Sequence, residues 1–314
     1  MTTDESELHR RLVADLTDRL TEPALRCLEG DVSELGRADV VRVSSHDVLV
    51  AARCQTKAAA EPVGFEPNIH TASRAVALRS MQRLRRAGSV VAAVGETMRH
   101  LRGADRHPDD ERLTDLDWLG QFLGDGDLAP IDVRVRIAAR ATTWLNTTLA
   151  ILGVEDATMT RGWRYDIRPR WRYPGRGLSL HGRVDLTVPV DGNLTPVFVL
   201  GSLDPSVIDQ AAFNLCLWTI RRRHPPPEAW IVELPTATLD KLRPEDLLDR
   251  GIEAAFRATD AVTARGSPSA PPDPSFARSP GRFVCADCAW APICEARAEF
   301  DRRPARRGGI QLTP

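Results

Sequence analysis

The sequence predicts an α/β fold, a mixed central sheet flanked by helices, and three observations point there. The N-terminal half is dominated by helical periodicity. A cluster of strand-like runs lies between residues 163 and 200 and contains a tight-turn signal. Helical periodicity then returns on both sides of one further short strand.

Taken in order, residues 1–30 space Leu8, Leu12, Leu16 and Leu20 four apart and read as an amphipathic helix. Val40–Val43 is a short strand. Ser44 and Ser45 offer capping hydroxyls, so a helix is expected from His46 to about Arg53, ending at Cys54. Residues 71–87 form a basic helix, residues 103–130, rich in Asp and Gly, a loop with a short helix, and Ile131 to about Leu152 a long helix. Trp163–Tyr173, Ser179–Val190 and Pro196–Leu200 read as strands, with Asp191-Gly192 as the hairpin turn between the last two. Val207–Arg223 is helix, Trp230–Leu234 strand, and Pro244 to about Thr263 helix. A Pro/Ser-rich linker follows, then a cysteine segment and a basic tail. The expected division is an N-terminal helical region at 1–36, a core at 37–263, the linker at 264–282 and the cysteine segment at 283–314.

The 314 residues suffice for one large or two small domains, and 42% are apolar, enough for a real core. The net charge of −1 gives no global pull toward nucleic acid, so any such binding rests on local patches. No run approaches the ~20 apolar residues that span a bilayer. The polar, acidic start is unlike a signal peptide. A soluble cytoplasmic protein with no membrane partner is the expectation. Lysine occurs only at positions 57 and 241, so a catalytic lysine has two possible sources, Lys57 and Lys241.

Cysteine supplies the sharpest signal. Cys285, Cys288 and Cys294 form a C-x2-C-x5-C group. In a cytosolic chain such a group reads as metal-binding rather than disulfide-bonded. Three soft thiolates need a fourth to complete the all-cysteine set of a 4Fe–4S cluster. Cys54 is the choice for that fourth ligand, because Arg53 and Lys57 beside it favour the thiolate. Cys27 is the reserve, and Cys216, inside an apolar helix, reads as a core residue. Structural zinc is the competing reading, although zinc sites usually pair two close couples and the second couple is absent here.

The run from Arg161 to Tyr173 interleaves bases and rings. On one continuous strand, Arg164, Arg168, Arg170 and Arg172 share a face and Trp163, Tyr165, Trp171 and Tyr173 the other. The rings then read as core. The arginine face is a DNA-binding candidate.

The segment around Cys285, Cys288 and Cys294, with residues 44–54 ending at Cys54, resembles the RecB-like PD-(D/E)XK nuclease superfamily with a C-terminal Fe–S cysteine cluster, which includes CRISPR-associated Fe–S exonucleases and AddB-type subunits. Gly182-Arg183-Val184-Asp185 is similar to that family's G-x-x-D motif, whose Asp binds the catalytic Mg²⁺ or Mn²⁺. Asp209-Gln210 and the following apolar helix resemble its Q-x3-Y helix, with Asn214 where Tyr is usual. The resemblance spans roughly residues 40–295 and implies a restriction-endonuclease-like core with a Fe–S-clamped C-terminal segment.

One motif departs. The family's D/E-x-K on the second hairpin strand is replaced by Leu200-Gly201-Ser202, and the family's histidine is missing from the stretch 75–82. A leucine cannot ligate a hard cation, and a serine cannot supply the lysine's charge. Asp185 and Gln210 then stand as vestiges of a catalytic centre. Glu233 and Asp204 are the acids that could replace the missing ligand. The resemblance implies a protein of DNA processing, repair or defence that binds DNA or a protein partner, such as a subunit of a helicase or nuclease complex, without cutting. An active metal-dependent exonuclease with relocated ligands and a zinc-stapled interaction protein are the alternatives.

Overall fold

The computed structural model describes residues 3–29, 41–54, 69–102, 117–124, 126, 129–174, 177–201 and 205–263. Cys285, Cys288, Cys294, the linker, the basic tail, Lys57, Ser202 and Asp204 lie outside the described residues, as does the side chain of Cys27.

The N-terminal helical run divides into α1 (Thr3–Arg19) and α2 (Thr21–Glu29). Pro23, in the first turn of α2, has no N–H for the carbonyl of Arg19, so one unbroken helix is not formed. β1 (Val41–Ser44) leads directly into α3 (Ser45–Arg53). The Ser44 hydroxyl accepts from the Asp47 N–H at 3.3 Å while the Asp47 carboxylate accepts from the Ser44 N–H at 2.9 Å. This reciprocal capping box fixes where the helix starts.

Then come α4 (Ile69–Ala87), α5 (Val90–Arg102), α6 (Asp117–Gly124) and α7 (Ile131–Ile151). Of these, α5 has no counterpart in the sequence reading.

The strand region differs from expectation. The run at 163–173 forms two strands, β2 (Arg164–Ile167) and β3 (Arg170–Arg172), and the run at 179–190 forms β4 (Leu178–His181) and β5 (Val184–Val190). Each break carries the chain from one sheet to another. β1, β4 and β3 make a three-stranded sheet in that order, parallel between β1 and β4 and antiparallel between β4 and β3. β2 and β5 belong to a five-stranded sheet completed by β6 (Asn193–Leu200), β7 (Ala229–Glu233) and β8 (Thr238–Leu242), in the order β2-β5-β6-β7-β8. The physical reasons are local. Asp166 sits in the left-handed region with φ of 49°, and Pro169 cannot donate to a ladder. At the second break, Gly182 N–H donates to Pro169 O at 2.9 Å, tying the two crossings together. A Cβ at Gly182 would stand 3.1 Å from each of Asn214 Oδ1, Leu217 Cδ1 and Pro169 Cγ, so a side chain here would crowd its neighbours.

The β5–β6 hairpin forms at Asp191-Gly192 with Val190 opposite Asn193, and both turn residues have positive φ. From β6 the chain passes through α8 (Pro205–Arg222) to β7, which pairs parallel with β6. β8, a strand absent from the sequence reading, closes that edge antiparallel to β7, and α9 (Glu245–Thr263) ends the described chain.

Alternation along β6 separates two cores. Val197 and Val199 join Leu186, Val188 and Val232 against α4 to α7. Phe198 and Leu200 join Ile231 and residues of the three-stranded sheet against α1, α3, α8 and α9. The architecture is therefore α/β, with mixed sheets flanked by helices. No described helix is long and apolar enough to cross a membrane.

Helices α8 and α9 approach closely at Gly251, where a Cβ would stand 2.5 Å from Ala212 O. Asp209 locks the same pair: its carboxylate accepts from Arg250 Nε and, at 3.0 Å, from Arg257 Nη2.

Candidate functional site

Asp185 lies near the start of β5 and is 4% exposed. Beyond the Leu186–Val197 pair, the carboxylate side chain takes over from the ladder between β5 and β6. Asp185 Oδ2 accepts from Val199 N–H at 2.8 Å and from Arg74 Nη2 at 2.8 Å. Arg74, on α4, also donates from Nε to Val199 O at 3.1 Å. The pair thus satisfies both backbone groups of Val199 and binds α4 to the hairpin. Arg183 Nε is 4.0 Å from Asp185 Oδ1 and 3.0 Å from Asp166 Oδ1, and Arg168 Nη2 donates to Asp166 Oδ2 at 3.0 Å. Two carboxylates and three guanidiniums therefore form one network.

This arrangement does not suit a divalent cation. A hard metal ion needs several oxygen ligands with lone pairs to spare. Asp185 Oδ2 is already shared between two donors, and the neighbouring positive charges are arginines. Leu200 is 3% exposed and belongs to the core, so its side chain offers no oxygen and no room, and its backbone oxygen accepts from Leu234 N–H at 3.0 Å. Glu233 lies beside Leu200 in register, but its Oε2 accepts from Thr236 and Thr238 hydroxyls at 3.0 and 3.2 Å. No group of three or more His, Cys, Asp or Glu side chains placed to hold a metal occurs among the described residues. Lys241, the one described lysine, stands over the Trp230 ring at 4.9 Å on the sheet edge.

The other motif residues have structural partners. Gln210 Nε2 donates to Ser45 O at 2.7 Å, joining α8 to the start of α3. Asn214 Oδ1 accepts from Arg183 N–H at 2.8 Å and from the Ser45 hydroxyl. The position where tyrosine was expected is thus a bridge between α8, α3 and the turn into β5. Neither residue is in contact with Asp185 through any bond the structure records.

The four arginines do not form one stripe. Arg164 is on β2 in the five-stranded sheet, whereas Arg170 and Arg172 are on β3 in the three-stranded sheet. Arg168 lies in the link between them. The reason is the double break at Asp166 and Pro169. Around Arg168 and Arg170 the surface instead opens a cleft of about 400 Å³, lined among the described residues also by Arg221 from the last turn of α8. Trp171 is buried between the exposed Arg170 and Arg172, as the alternation predicted.

Cys54 caps the C-terminus of α3, donating its N–H to Val50 O at 2.8 Å, and is buried. Its three expected partners are outside the described residues, so the convergence of the four sulfurs is not on view. Cys216 is buried inside α8, and burial pushes its thiol up to about 12, the behaviour of a core residue.

Sequence reasoning missed Arg74, Arg183, Asp166 and Arg221. Arg74 lies one residue upstream of the stretch 75–82 where the family's histidine is expected, and an arginine on a basic helix carries no signal that it turns inward. Asp166, the single acid in an arginine-rich run, was the more readable clue. No family model matches the chain, and no curated protein matches it.

Proposed function

We propose that this chain is a catalytically silent protein of the RecB-like PD-(D/E)XK nuclease type, acting in DNA processing, repair or defence through binding rather than cutting. In this reading the core is restriction-endonuclease-like and a C-terminal segment clamps it through a 4Fe–4S cluster held by Cys54, Cys285, Cys288 and Cys294. The observation that carries the silent part is the state of Asp185. The carboxylate that the motif would assign to a metal is held by Arg74 and the Val199 N–H, with Leu200 buried where the second acid would stand. The surrounding order also supports the reading: a G-x-x-D aspartate, a hairpin, then a helix bearing Gln210 and a parallel strand.

The exposed arginines of β3 and the adjoining cleft support a DNA-binding role, which the proposal sets in the cytoplasm beside a protein partner in a helicase or nuclease complex. The cluster's work is mechanical. It ties the chain's end back to α3, and metal binding couples to folding.

The test is a cleavage assay with Mn²⁺ on single- and double-stranded DNA, using anaerobically purified protein, together with iron, sulfide and zinc analysis. No cleavage, with four irons per chain, is expected. Cleavage abolished by Asp185→Ala would instead establish the enzyme with relocated ligands, and one zinc in place of iron the zinc-stapled interaction protein. Cys285→Ala is expected to lose the iron and to lower the melting temperature of the whole chain; unchanged melting would make the cluster peripheral.

A further inference from the structure

Among the described residues, three arginines line the open cleft between the β2–β3 link, β3 and the end of α8: Arg168, Arg170 and Arg221. They are unequally compensated. Arg168 is paired with Asp166, whose other oxygen faces Arg183 at 3.0 Å, so that single acid already serves two cations. Arg221 donates from Nη1 to Arg168 O at 2.9 Å, a neutral acceptor, and has no acidic partner among the described residues. Arg170 is exposed on the strand, and its side chain has no hydrogen bond or ion pair among the described residues. Bringing Arg170 and Arg221 together, neither with an acidic partner among the described residues, opposes folding, and an anion entering the cleft relieves that repulsion.

The bland account is that Arg221 and Arg222, in the last turn of α8, simply complement the negative end of the helix dipole. That account covers Arg221 but not Arg170, which sits on a strand. Nor does it account for the bond from Arg221 to Arg168 O, which holds the helix end against the link and fixes the spacing of the cleft in advance.

We infer that this cleft binds the phosphate groups of a nucleic-acid backbone without reading sequence; the inference rests on the DNA-binding reading above and locates its site. The guanidinium fork matches a phosphate's oxygens two at a time, which suits phosphodiester contacts. The ring that might have stacked on a base, Trp171, is only 8% exposed beneath the arginines. Contacts therefore go to phosphate, which positions a strand and carries no base information. Arg164, on the other sheet, is outside the site.

The experiment is fluorescence anisotropy with the full chain and a labelled single strand, repeated with its duplex, with a second unrelated sequence, and with inorganic phosphate as competitor at constant ionic strength. Arg170→Ala and Arg221→Gln are each expected to weaken binding about tenfold, the scale of one charged hydrogen bond. Each should also shallow the salt dependence of log K by about 0.7 for a single strand or 0.9 for a duplex, one phosphate's worth. Arg164→Ala should change affinity less than about twofold, within the usual range for a surface residue remote from a contact. Equal affinity for the two sequences is expected. Wild-type binding that survives intact in both Arg170→Ala and Arg221→Gln overturns the cleft and leaves the DNA reading standing. A wild type that binds neither single strand nor duplex overturns both. A strong preference for one of the two sequences, or no displacement of the bound strand by inorganic phosphate, overturns the backbone assignment. The Arg170 side chain makes no hydrogen bond or ion pair among the described residues, so its variant is expected to fold even if Arg221→Gln does not.

Discussion

Removing the Asp185 carboxylate tests the proposed silence of the site more directly than a cleavage assay. In Asp185→Ala two interactions go at once. Val199 loses the acceptor of its N–H, a buried donor whose desolvation is then unrepaid, at about 1–3 kcal/mol. Arg74 keeps its charge and loses its partner. Breaking one side of a fully buried pair costs about 3–5 kcal/mol, but the Arg74 side chain is 30% exposed, so water recovers much of that term. A total near 3 kcal/mol follows, or roughly 5 °C of melting temperature for a chain of this size at the usual unfolding entropy per residue. Asp185→Asn keeps an acceptor for Val199 and should cost about half as much. Urea unfolding, read as a lowered midpoint at constant slope, measures both. A cycle with Arg74→Ala should return a coupling of at least about 1 kcal/mol, since the two residues share one contact. The opposite pattern defines failure. A carboxylate poised for metal is strained without it, so removing it stabilises the protein. If Asp185→Asn melts higher than wild type, and Mn²⁺ raises the melting temperature of wild type but not of the variant, then Arg74 is a placeholder and the site is a metal site.

Further outcomes follow from other contacts. Gly251→Ala should destabilise by about 1–3 kcal/mol, because the new methyl meets the Ala212 carbonyl, a backbone atom that cannot swing aside; thermal melting reads it. Cys216 should resist maleimide at pH 8 in the folded chain and react once unfolded, as peptide mapping would show. Its folded thiol is raised to about 12 from 9.0, so the neutral form is the one folding favours. The thiol's contribution to stability should therefore be complete below about pH 9 and be lost as pH climbs from there toward 12, a slope that Cys216→Ala reduces, the half-buried Tyr165 phenol adding to what remains. Ser44→Ala should cost about 1 kcal/mol by opening the capping box of α3, with a matching loss of order around Cys54 in hydrogen exchange.

Much of the architecture was readable because it is local. The leucine spacing of α1, the serine caps before α3, the Asp191-Gly192 turn and the periodicities of α7, α8 and α9 each depend on residues within a few positions of one another. On the nuclease reading proposed above, the negative half of the candidate site was readable for the same reason: Leu200 takes the place of the acid, and its side chain carries no ligating atom. The burial of Cys216 was legible from its apolar helix.

What tertiary structure decided is everything that depends on which segment meets which. A period of two looks the same in one long strand and in two short ones, so nothing local said that residues 164–172 change sheets; Asp166 and Pro169 break the run only because Gly182 and α8 are there to receive it. Arg74 and Asp185 are 111 residues apart, and an arginine on a basic helix looks solvated until the helix is docked on the hairpin. Arg221 likewise lies 53 residues beyond Arg168. A charge declares its partner only in three dimensions, because Coulomb energy depends on distance in space and on the water excluded between the groups, and neither is written along the chain.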